Sequence, residues 1–132
     1  MQLSIQTPLG PEHHLNLGRA LAPLRGQDVL IAATGSFTHN LRAMDRSNLN
    51  APEPAWSQQF SDWVYGALVQ KRTSDLLTYR RLAPNAVQAH PQEDHFLPIF
   101  TALGAAGEGA NPERLHKSTT FGSLRMDCYA FG

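Results

Sequence analysis

His39, His90 and His95 are the residues of this chain whose type and spacing could do chemistry. An imidazole with its ordinary pKa near ~6.5 takes up and returns a proton at cellular pH, the requirement for a general base or acid. His39 follows the apolar run Asp28–Gly35 and a Gly35-Ser36 turn. That order places its ring at the carboxyl end of a strand, where open α/β sheets present their active-site groups. On position alone two roles stay open for His39, a catalytic base and a structural histidine bonded to backbone. His90 and His95 bracket Pro-Gln-Glu-Asp, and this separation is not the i,i+4 spacing of a two-histidine zinc helix. The arrangement permits one metal ligand plus one group that faces substrate or orients the ligand. Glu93 and Asp94 offer carboxylates, which equally suit the positive first turn of a helix.

The other candidates are weaker. His13 and His14 are adjacent, so on a helix their rings point roughly 100° apart and cannot form a metal pair. His14 is the one expected to face a cleft, with His13 solvated. His116 falls in a polar connection and reads as a surface residue, and Cys128 reads as a buried, inert thiol in a strand.

Composition narrows the function classes. Lys and Arg number 11, as do Asp and Glu, for a formal net charge of +0. No field draws such a chain to phosphate backbones or anionic membranes, so neither nucleic acid nor a membrane is an expected partner. Balanced charge also opposes self-association only weakly. The single cysteine cannot close an intramolecular disulfide and fits a reducing, cytoplasmic setting. No run approaches the roughly 20 apolar residues that span a bilayer, and no basic leader precedes an apolar segment.

The elements that must position the histidines follow from pattern. Gln2–Gln6 alternates polar and apolar side chains like a short strand, beginning so abruptly that the chain reads as the middle of a larger unit. A helix is expected over His13–Leu24, ended by Gly26. Asp28–Gly35, DVLIAATG, is continuously apolar and reads as a central strand buried on both faces, as in a parallel sheet covered by helices. From Pro54 onward, Trp56, Phe60, Trp63 and Ala67 recur at helical spacing, with Val64 and Leu68 widening a core stripe. A short helix is expected over Ser74–Arg81 and another from Pro91, with Pro98 early in it or kinking it. Gly104, Gly107 and Gly109 suggest close packing and termination. Asn111–Lys117 reads as a connection and Thr119–Phe131 as a terminal strand turning near Gly122. The expected fold is one α/β domain over residues 1–132, with helices covering a short, mostly parallel sheet in three layers.

The segments QLSIQ, HLNLGRALAPLR, DVLIAATGSFTHNLR, the helix beginning PAW, AHPQEDHFLPIFTALGAAGEG and the ending TTFGSLRMDCYAF resemble, in order, successive blocks of the class III extradiol ring-cleavage dioxygenases. The similarity is strongest to the DOPA-dioxygenase branch, and GSFTHNLR together with AHPQEDHFLP carries its specificity. The resemblance implies an iron(II)-dependent enzyme that opens a catechol ring beside its two hydroxyls with dioxygen. Zinc in the same site would be a non-redox occupant. Residue by residue, it implies His39 as catalytic base and later acid, His95 as a metal ligand, and His90 and His14 as substrate-side positions.

The resemblance covers the C-terminal half of such an enzyme. Family members are about twice this length and carry two further metal-binding histidines in their N-terminal half, which His13 and His14 do not replace. Stand-alone turnover is therefore not expected, and an N-terminal-half partner or a homodimer would be needed to complete the ligand set. Two other readings remain. One is a non-catalytic dimerising remnant or one subunit of a split dioxygenase; the other is a metal-dependent hydrolase using His39 as base.

Overall fold

Helix α1, Gly10–Leu21, opens with Pro11 in its first turn, where a missing amide costs no hydrogen bond. Glu12 near its start and Arg19 near its end complement the helix dipole. A 3-10 turn, Ala22–Gln27, carries the chain on to Asp28, which ends it in the left-handed region with φ 58°. The helix expected over His13–Leu24 thus starts earlier and tightens in its last turns. The computed structural model describes residues 1–132.

Helix α2, Ala55–Val69, buries Phe60, Val64, Ala67 and Leu68, the stripe expected from their spacing. Trp56 and Trp63 pack on the same core from its margin. Pro54 lies just outside the helix, with extended backbone. The expected Ser74–Arg81 helix is two short pieces, α3 (Thr73–Leu77) and α4 (Tyr79–Leu82), broken at Thr78. A single turn, α5 (Ala86–Ala89), follows a left-handed Asn85.

Helix α6 covers Pro98–Ala106, with Pro98 in its first turn. It does not begin at Pro91: residues 91–97 form bends and turns, in which the Phe96 and Leu97 amides both donate to the Glu93 carbonyl. Proline at 98 lacks the amide that a helix running through it would need, so the regular helix starts there. α6 lies on α1 with the backbones in direct contact. A Cβ at Gly18 would overlap the Thr101 carbonyl, and one at Gly104 would overlap the Leu15 carbonyl. Only glycine at both positions lets the two helices approach this closely.

The strands depart most from expectation. β1 (Pro112–His116) pairs antiparallel with β4 (Cys128–Phe131), and β2 (Thr119–Thr120) pairs antiparallel with β3 (Leu124–Arg125). The mostly parallel, three-layer sheet is replaced by two small antiparallel ribbons, and the polar connection Asn111–Lys117 is largely strand. Gln2–Gln6 and Asp28–Gly35 join no ladder. Leu30 is 90% exposed and Val29 is 42% exposed, so the expected central strand lies on the surface.

The core is an aromatic cluster. Phe96 touches Phe37, Phe60, Tyr79, His90 and Phe100, with ring centroids between 4.6 and 6.0 Å. Burial pushes the Tyr79 hydroxyl above its ordinary range, as does its hydrogen bond to Glu93. No helix is long and apolar enough to cross a membrane.

Candidate active site

The segment Gly35–His39 is held on the segment Ala89–His95 at three points. The Ser36 amide donates to the His95 carbonyl at 3.0 Å, and the His39 amide donates to the Ala89 carbonyl at 2.9 Å. Between them, His90 Nε2 donates to the Phe37 carbonyl at 2.9 Å. Gly35 makes the first contact possible, because a side chain there would overlap the His95 carbonyl. The Thr38 hydroxyl fixes the loop from its other side: it donates to the Ser123 carbonyl at 2.7 Å and accepts from the Arg125 amide at 2.9 Å. Each backbone bond is worth only about 1 kcal/mol net, but together they leave the loop a single register.

That register brings His39 and His95 together. Their ring centroids are 3.7 Å apart at 32°, and His95 Nε2 lies 3.5 Å from Asp94 Oδ2. Both rings are half-buried. The His39 pKa is lowered, first by burial and then by the neighbouring His95, with Asp94 opposing. A neutral His39 is competent to accept a proton. His95 also borders a cavity of about 270 Å³ walled by Phe37, Ile99 and Tyr129 among others.

The remaining sequence candidates are placed otherwise. His90 is fully buried against Phe60 and Phe96, and Arg80 donates to its carbonyl at 2.9 Å. Burial lowers its pKa to about 4, with the Phe37 hydrogen bond opposing. Its Nδ1 has no partner. His14 is fully buried as well; its Nδ1 donates to the Gly10 carbonyl at 2.6 Å and its Nε2 accepts from the Gln6 amide at 3.2 Å. A substrate reaches neither ring in this structure, so the substrate-side positions implied for His14 and His90 are interior ones. Glu93 is engaged by the Tyr79 hydroxyl at 2.8 Å. Asn40 donates to the Gln88 carbonyl at 2.7 Å, fixing the exit of the loop. Cys128 is exposed rather than buried.

Sequence reasoning passed over Arg125. Its side chain is fully buried, 2.8 Å from Glu53 Oε1 and 3.2 Å from Asp127 Oδ1. Its carbonyl accepts from the Phe37 amide at 3.2 Å, so this ion cluster also supports the His39 loop. The alternation Arg-Met-Asp, which puts Arg125 and Asp127 on one face of extended chain, was the available signal.

No group of three or more His, Cys, Asp or Glu side chains is placed to hold a metal ion. The rings of His39 and His95 lie against each other at a 32° tilt, and His90 is committed to the core. The donors of this chain therefore do not, by themselves, fit a three-ligand metal centre.

A family model described as the catalytic LigB subunit of aromatic ring-opening dioxygenase matches residues 1–132. The chain belongs to this LigB family. Among curated relatives, the 4,5-DOPA dioxygenase extradiol of Beta vulgaris is 39% identical over 98% of this chain and 48% of its own length. That of Portulaca grandiflora is 37% identical over 98% and 48%, respectively, and that of Escherichia coli K12 is 29% identical over 96% and 47%. The chain thus spans about half the length of these LigB-family relatives. A crystal structure of an uncharacterized Escherichia coli K12 protein superimposes with a TM-score of 0.82 at 26% identity, over 96% of this chain and 52% of that one. These matches bear out the resemblance read from the sequence blocks, including its confinement to half of each relative.

Proposed function

We propose that this chain carries the proton-transfer portion of an extradiol dioxygenase site acting on a catechol-type ring. The observation that supports this most is the pairing of a half-buried His39, its pKa lowered, with His95 at 3.7 Å. In extradiol cleavage the ring bond beside the two hydroxyls breaks and both atoms of dioxygen enter the product. His39 would accept a proton from a catechol hydroxyl oxygen and return it as the ring opens. Because His95 stands against His39, a second charge there would be repelled, which favours the neutral, proton-accepting form.

His95 is the residue this chain would offer to an iron(II) site, with the remaining ligands supplied from outside the 132 residues. Zinc bound there would lack redox chemistry. The expected small molecules are a catechol and dioxygen, and the single cysteine suits a cytoplasmic setting.

The test is anaerobic ferrous-ion binding followed by oxygen uptake on adding DOPA, with the chain alone and with a complementary half supplied. His39→Ala should lower catechol-dependent uptake by about 10²–10⁴-fold while ferrous binding persists. His95→Ala should weaken ferrous binding. Uptake unaffected by His39→Ala would refute the proposal. A second reading, a non-catalytic partner-binding or dimerising remnant, is favoured by the unpaired backbone of Leu30–Gly35. Absence of uptake in every combination would select it.

A further inference from the structure

Two segments of this chain that belong to no helix or ladder have backbone with no backbone partner. Leu30–Gly35 neither donates nor accepts a backbone hydrogen bond, and neither does Met1–Ile5. Together they line a groove of about 380 Å³, with Leu17, Leu21 and Leu24 of the first helix and its extension completing it. No charged side chain lines this groove. Leu30 at 90% and Leu3 at 50% exposure present apolar surface beside the unpaired backbone. An unpaired row of amides and carbonyls beside apolar side chains is a template for an added strand.

We propose that this groove is a strand-addition site and that its occupant is the part of a LigB-family chain lying outside the matched region. The inference rests on the dioxygenase reading only for the identity of that occupant. Three observations support it. The curated relatives are about twice the length that this chain covers. A mostly apolar groove without a charged side chain suits an apolar strand better than an ionic ligand. The unpaired run is also continuous with the candidate site, since the residue that follows Gly35 is bonded to the His95 carbonyl. A strand seated on Leu30–Gly35 would therefore end beside His95. A second copy of this chain is the competing occupant, and the concentration dependence of the protection distinguishes the two.

Amide hydrogen exchange of the full chain tests this directly. The probe is the half of the Beta vulgaris relative left outside the match, co-expressed with this chain. A second form joins the two by a flexible linker, so that failure of the half to fold alone does not obscure the result. Exchange at residues 30–35 should slow by about tenfold or more on association, and Ala32→Pro should abolish that slowing. Unchanged exchange in both forms overturns the proposal. Slowing that depends only on the concentration of this chain overturns it too, in favour of a second copy. Slowed exchange without oxygen uptake would keep the groove assignment and sink the dioxygenase reading; uptake with exchange still fast would do the reverse.

Discussion

Residues 29–35 and 36–39 are consecutive, yet the chain treats them in opposite ways. The second segment is pinned by three bonds to Ala89–His95 and by the Thr38 hydroxyl to Ser123 and Arg125. The first has apolar side chains in solvent and no bonded backbone from Leu30 to Gly35. Apolar sequence alone does not bury a strand; neighbours must exist on both of its edges. Where this chain supplies the neighbours, a rigid loop holding His39 results. Where it does not, the apolar run remains unpaired at the surface.

The contrast can be tested by disturbing each side in turn. Phe96→Ala removes the ring that backs His90 and Phe37, and should lower unfolding free energy by about 3–5 kcal/mol in denaturant titration. Acid attacks the same wall through His90. Its pKa is about 4 in the fold against an ordinary 6.5, so the unfolded chain binds a proton first as pH falls. Stability is fully present above pH 6.5 and is lost as pH drops toward about 4, a change on the order of 3 kcal/mol. His90→Phe should flatten that window in melts taken across pH. Gly35→Ala sits at the boundary of the two segments and collides with the His95 carbonyl. It should cost about 1–3 kcal/mol and lower oxygen uptake wherever uptake is measurable. Leu30→Lys falls on the bare side and should change the stability of this chain by no more than about 0.5 kcal/mol. A large loss would show that the run is already packed.

Much of this was legible in residue order. The stripe Phe60, Val64, Ala67 and Leu68 gave α2, because helical spacing reports a buried face directly. Pro98 was correctly placed early in a helix, though the helix begins at it and not at Pro91. The pairing of His39 with His95 was suggested by the family blocks and not by spacing, since the hydrogen bonds that create it join residues far apart in sequence. The central strand misled for a physical reason: a continuous apolar run signals burial, and nothing local reveals whether the rest of the chain supplies strands to pair with it. Antiparallel pairing of Pro112–His116 with Cys128–Phe131 was missed because Glu113, Arg114 and His116 hide a half-exposed strand behind polar composition.

The crossing of α1 and α6 has a mechanical meaning. With backbone against backbone at Gly18 and Gly104, there is no layer of side chains to compress or slip. One end of this strut holds Gln6 through His14, and the other begins three residues after His95. The pair therefore forms a closely packed strut that ties the backbone at Gln6 to the turn carrying His95.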